Sequence, residues 1–287
     1  QYTDCQYKLL SVDQWGDNHW TTMESAFAGT KNLQIVAPDV PDLSGVTSMH
    51  AMFISSNFNS SINHWDTSNV TDMSWMFLSA QSFNQPLDNW DTSNVTDMSA
   101  MFWTAKAFNQ PLNSWDVSSV TTMNDMFGRA ISFNQPLDNW DTSNVTDMNY
   151  MFRGDMINSQ RVGSFNQDIS TWDVSNVTTM AGMFDSNSAF NQPLNSWDTS
   201  NVTNMVGMFQ GATSFNQPLN SWDTSHVTNM AGMFGLSNFN QPLNSWNTGT
   251  VTNMAGMFQQ SQFNQPLNAW NKSNVTNMQY MFLGNAE

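Results

Sequence analysis

The stretch Phe83–Ala107, FNQPLDNWDTSNVTDMSAMFWTAKA, recurs with small changes along nearly the whole chain. A fixed period of this length marks an array of stacked units, because one such unit has too little apolar surface to form a core alone. The repeat-spaced tryptophans are Trp65, Trp90, Trp115, Trp140, Trp172, Trp197, Trp222, Trp246 and Trp270, at intervals of 25, 25, 25, 32, 25, 25, 24 and 24 residues.

A second series keeps step with the first, from Met73, Met76 and Phe77 to Met278, Met281 and Phe282. Apolar residues at i, i+3 and i+4, extended to i+7 by Ala80, Ala105, Ala130 and Ala212, predict about two turns of helix in each unit. The residue two after Trp is β-branched (Thr67, Thr92, Val117, Thr142, Val174, Thr199, Thr224), and this period of two predicts a short strand. The expected fold is therefore an α/β repeat. It is a right-handed, leucine-rich-repeat-like solenoid with a parallel β-sheet on one side and short helical turns on the other. Residues 1–40 are expected to form an N-terminal cap, sealed by Trp15, His19 and Trp20. Residues 41–287 are expected to form about ten coils of 24–25 residues, with a seven-residue insertion within 153–162. The Thr of each VT pair, from Thr47 to Thr276, suits a helix N-cap. The Asn after each repeat Phe, such as Asn84 and Asn109, suits an amide ladder that satisfies turn backbone.

The unit WDTSNVTDMSAMF (90–102) followed by FNQPL (108–112) resembles the repeat of BspA-type, leucine-rich-repeat-like surface proteins, common among mycoplasma surface lipoproteins. The resemblance covers about residues 41 to 282. It implies a cell-surface protein of the adhesion class, and it brings no catalytic residues to carry over.

Composition narrows the partners. Only 10% of residues are charged, and seven Lys or Arg face 23 Asp or Glu, for a net charge of −16. Such a chain repels nucleic acid and anionic membrane and suits divalent cations or basic surfaces. The single cysteine, Cys5, excludes an internal disulfide and a cysteine metal cluster. No run reaches the length of a membrane span and no signal peptide is seen; an opening at Gln1 suits a mature secreted chain. The C-terminal residues Met281–Glu287 stop in mid-repeat, which suggests either a further domain or a second molecule covering the last coil.

The sharpest candidate site is the residue after each Trp: Asp66, Asp91, Asp116, Asp141, Asp173, Asp198 and Asp223, then Asn247 and Asn271. Carboxylates stacked at strand spacing would repel one another and collect Ca²⁺, which prefers oxygen ligands. Alternatively each Asp accepts hydrogen bonds within its own D-x-S turn, a role Asn247 and Asn271 keep without the charge. The insertion supplies a second candidate contact through Arg153, Gly154, Asp155 and Arg161, the first three spelling the integrin-recognition tripeptide. Acceptor sequons begin at Asn59, Asn69, Asn94, Asn144, Asn176, Asn201, Asn271 and Asn274 and would carry glycans if the host glycosylates. Ser119, His226 and Thr250 replace Asn at that turn, as though no amide were needed there.

Rows of Thr raise ice binding and rows of Trp raise sugar stacking, but both need outward-facing rows, and caps and core explain them better. Trp75 and Trp103 lie off the repeat register and suit exposed contacts. His19, His50, His64 and His226 are scattered, no catalytic motif occurs, and the Asp lattice lacks the asymmetry that separates an acid from a base. The expectation is a non-enzymatic extracellular or cell-surface protein that binds protein or glycan through an acidic face. The alternative is a structural subunit stacked end to end into a filament or matrix.

Overall fold

The computed structural model describes residues 7–285. The chain divides into two compact units, 1–140 and 141–287. In the first, single-residue parallel bridges join Ser48 to Asp72, Asp72 to Asp97 and Asp97 to Thr122. In the second, they run from Asp147 through Thr179, Asn204, Asn229 and Asn253 to Asn277. Strands β1 (Ser11–Val12) and β2 (Gln34–Ile35) pair in parallel, and β3 (Asp155–Ile157) and β4 (Gln160–Val162) form an antiparallel hairpin.

The expected α/β solenoid, with a sheet on one side and helical turns on the other, is overturned. The described residues contain no α-helix, and β1 to β4 are their only strands of two residues or more. The coil from Met98 to Ala105 shows why. An α-helix bonds its N–H groups internally, four residues back. Here Met98, Ala100, Phe102 and Thr104 donate instead to the next coil, at Thr122, Asn124, Met126 and Gly128, over 2.7–3.2 Å. The intervening N–H groups of Met101, Trp103 and Ala105 close four-residue turns on the carbonyls of Met98, Ala100 and Phe102. Alternation between the two directions requires left-handed backbone at Ala100 (φ 51°) and Thr104 (φ 60°), which no α-helix contains. Overlapping turns of this kind reproduce the i, i+3, i+4, i+7 apolar spacing without a helix.

The segment predicted as a strand keeps its alternation and loses its pairing. Trp90 and Thr92 are buried while Asp91 between them is exposed. Coils meet there mainly through side chains: the Thr92 hydroxyl donates to the Asp116 carbonyl at 2.8 Å, and the Trp90 indole N–H to the Ile62 carbonyl at 3.0 Å. The backbone bridge instead falls just before the first Met.

Between these layers lie columns of aromatic rings. Phe102 stacks on Phe77 at 5.5 Å and on Phe127 at 5.6 Å, and packs against Phe108 at 4.0 Å. In the second unit Phe209, Phe234 and Phe258 repeat the column at 5.7 and 5.8 Å. Their side chains are fully buried, so each contributes on the order of 2–3 kcal/mol by leaving water. The amide ladder is present as expected, with Asn84 Oδ1 accepting from Asn109 N at 2.9 Å. Toward the N-terminus, Trp15 packs edge-on to Trp20, Phe27 and Trp65, held by Asp39 carboxylate bonds to the Trp15 and Gly16 N–H groups.

Candidate functional site

Every Asp of the acidic row is exposed, and its carboxylate folds back on its own turn. Asp91 Oδ1 accepts from Ser93 N at 3.0 Å and from the Ser93 hydroxyl at 2.6 Å, and Asp116 does the same with Ser118. Asp66, Asp141, Asp173, Asp198 and Asp223 accept from Ser68, Ser143, Ser175, Ser200 and Ser225. These bonds, the serine hydroxyl first and the serine N–H second, hold Asp66, Asp116, Asp173 and Asp223 below the usual carboxylate range. At the equivalent Asp42, Ser44 and then His19 push it down to about 2. Asn247 and Asn271 make the same turn bond without the charge. The row therefore presents single, turn-anchored carboxylates. Among the described residues no three His, Cys, Asp or Glu side chains converge as a metal site, and Ca²⁺ takes six to eight oxygens.

The insertion is the β3–β4 hairpin, turning through Asn158 (φ 49°) and Ser159 (φ 63°). Its tripeptide lies at the base and not at the tip. Gly154 is buried and donates to the Asp185 carbonyl at 2.8 Å, and an added Cβ would meet the Ser186 carbonyl oxygen at 2.2 Å. Arg153 pairs with Asp185 at 3.0 Å and lies over the Tyr150 ring at 5.3 Å. Asp155 opens β3 opposite Val162, and Arg161, opposite Met156, lies against Gly211. The hairpin thus carries Asp155 and Arg161 on its two strands, while Arg153 and Gly154 are engaged in holding its base.

At the sequon turns, the amide of Asn94 donates to the Ser68 carbonyl at 2.8 Å, and Asn69, Asn176, Asn201 and Asn274 reach the preceding coil in the same way. Asn59 instead receives the Asn84 N–H, Asn271 holds its own turn, and Asn144 is exposed. Ser119, His226 and Thr250 each bond that preceding carbonyl too, so the turn needs a donor, which several side chains supply. The VT threonines are not helix caps. Thr96 and its equivalents are exposed, and Thr96 passes both its N–H (2.8 Å) and its hydroxyl (3.2 Å) to the Thr71 carbonyl.

The turn face of the first unit carries a feature only hinted at by Trp75 and Trp103. The residue two after the first Met is left-handed in successive coils: Ala51, Trp75, Ala100 and Asp125, at φ 51–60°. Stacking sets small Ala100 between Trp75 and Asp125. Leu78 and Trp103 form the neighbouring column, and the result is a pocket of about 310 Å³ lined by these five residues and Asn124. Trp75 is 44% exposed and its ring meets His50 at 5.5 Å, and the Arg129 guanidinium lies over Trp103 at 5.6 Å. Gly128 makes room for Trp103, since an added Cβ would stand 2.8 Å from its ring and 2.9 Å from Asp125 Oδ1.

Cys5 lies outside the described residues. No helix among the described residues is long and apolar enough to cross a membrane. No curated protein matches the chain. The family described as "Mycoplasma protein of unknown function, DUF285" matches it four times, over residues 21–135, 87–160, 154–237 and 221–287. These overlapping matches run from residue 21 to residue 287, and the chain belongs to that family.

Proposed function

We propose that this chain is a non-enzymatic binding protein, displayed outside the cell, that holds a basic partner surface against its exposed aspartates. The observation that carries this reading is the turn-anchored Asp row. Asp66, Asp91 and Asp116 in the first unit, and Asp173, Asp198 and Asp223 in the second, are each fixed by a serine two residues on. A carboxylate whose geometry is already set loses little side-chain freedom on meeting a lysine or arginine. The net charge of −16 favours the same class of partner through long-range attraction.

The test replaces Asp66, Asp91 and Asp116 together with Asn, which keeps the turn bond that Asn247 and Asn271 already make. Calorimetric titration with a decalysine peptide at low salt should weaken roughly tenfold, at about 0.5 kcal/mol for each of three exposed pairs. Added salt should weaken the native chain's binding and erase the difference. Equal binding by the triple variant, or binding indifferent to salt, overturns the reading.

A further inference from the structure

The pocket over Ala100 lies apart from the aspartate row and is built at a cost to the backbone. Four coils of the second unit place glycine at the left-handed position, Gly182, Gly207, Gly232 and Gly256, where it carries no Cβ penalty. Trp75 holds the same conformation at φ 60°, which L side chains rarely adopt. Trp75 is nearly half exposed, so much of its indole remains at the surface. Ala51, Ala100, Asp125, Tyr150 and Tyr280 share that conformation, so stacking imposes it; what singles out Trp75 is that its exposed side chain walls a pocket.

The lining specifies the contact. Trp75 and Trp103 come from adjacent coils and both line the pocket. Trp103 is held by Arg129 and by the space left at Gly128. Asn124 and Asp125 place an amide and a carboxylate at the same pocket. A ligand with an apolar face and several hydroxyl groups on one small ring suits both. A pyranose does so: its C–H face packs on indole, while its hydroxyls donate to carboxylate and amide oxygens. The volume of about 310 Å³ falls at the small end of ligand pockets. The net charge of −16 discriminates against uronic and sialic acids.

We propose that the notch over Ala100, walled by Trp75, Leu78 and Trp103 and edged by Asn124 and Asp125, binds a neutral pyranose residue of a glycan. It is a site of its own, and its occupation does not depend on the aspartate row.

The intact chain would be titrated with cellotetraose, chitotetraose and maltotetraose by calorimetry and saturation-transfer NMR, with N-acetyltryptophanamide as an aromatic control. At least one tetrasaccharide should bind. Trp75→Gly should weaken it by ~10-fold or more, the worth of one stacked aromatic face. This variant keeps the fold, because glycine is the residue at the equivalent positions of the second unit, and an unchanged circular dichroism spectrum would verify that. Asp125→Asn should weaken the same sugar several-fold, and the Asp66, Asp91, Asp116 triple variant should bind it normally. Absence of binding by all three sugars up to about 10 mM, where even millimolar affinity would register, overturns the proposal. So does undiminished binding by Trp75→Gly, and so does preference for the tryptophan amide, which would make the notch a peptide site.

Discussion

The turn face of the first unit and that of the second share one backbone and differ in what they hang on it. Trp75, Ala100 and Asp125 stand at φ 51–60° in the first, and Gly182, Gly207, Gly232 and Gly256 at φ 60–66° in the second. The conformation is therefore dictated by stacking, because alternate N–H groups must reach the next coil whatever residue occupies the position. Glycine is the unstrained answer. Where a Cβ is present, the chain has kept a side chain against the local preference, and at Trp75 that side chain shapes a pocket. Tyr150 is a related case within the second unit: its ring lies so close over Gly182 that an added Cβ there would stand 2.1 Å away. One coil's aromatic residue thus requires its neighbour's glycine.

The largest effects are expected in the two cores. Phe102→Ala in the first unit and Phe234→Ala in the second each empty one place in a stacked column and should each cost about 3–5 kcal/mol. Urea denaturation should show the two losses agreeing within about 1 kcal/mol. A larger gap would mean that the units differ beneath the turn face as well as on it. A smaller effect, of opposite sign in the two units, is expected at the left-handed position. Gly207→Ala should lose about 1 kcal/mol although an added Cβ meets nothing closer than Gln210 Oε1 at 3.4 Å, and Ala100→Gly should gain a similar amount. Thermal melts giving the same sign for both would show that φ is not the governing difference.

The smallest effect concerns what the units have in common. Asp116 and Asp223 are both held below 3.8, chiefly by the serine hydroxyl and then the serine N–H, Asp223 with a further small contribution from His226. A carboxylate depressed in the folded state stabilises above its unfolded value, and that stabilisation disappears as pH falls through the folded value. Asp116→Asn and Asp223→Asn should therefore each cost under about 0.5 kcal/mol above pH ~4, since the groups are exposed. The deficit should fade toward pH ~2 in melts recorded across that range. A deficit that grows on acidification would contradict the turn bonds as its cause.

Periodicity alone makes much of this legible. The spacing of Trp90, Trp115 and Trp140 marks the coil length, and inward Trp with outward Asp follows from the β-branched residue two on. The serine turn is one of the two roles that sequence leaves open for Asp91, and Asn109 reads as a ladder. The expected helix fails because Met98, Met101, Phe102 and Ala105 have the same spacing in overlapping turns as on a helical face. Gly182, Gly207, Gly232 and Gly256 are the signal against it. Glycine at one fixed place in four supposed helices, each flanked by strong apolar formers, points to a positive φ. Thr96 suits a cap only if a helix follows it. Asn94 looks dispensable when its replacements are compared by class, whereas Ser119, His226 and Thr250 share a donor. The notch is hidden from a linear reading because it depends on which residues of three coils fall side by side. Trp75, Ala100 and Asp125 are 25 residues apart, and only the stacking register makes neighbours of them.

The hairpin at Asp155–Val162 leaves the pattern around it undisturbed. Tyr150, Phe152 and Gly154 still donate to Ala181, Met183 and Asp185. The buried Asn187 amide ties the Phe152 and Phe165 carbonyls together across the hairpin's base, at 3.3 and 3.2 Å. Beyond it, Asn191 N meets Asn166 Oδ1 at 2.8 Å, as the ladder requires. For protein engineering, this seam is an insertion port. Sequence added between Ile157 and Gln160 enters where the chain already departs from the stack and returns, so a grafted peptide can vary in length and content while the coils on either side keep their registration.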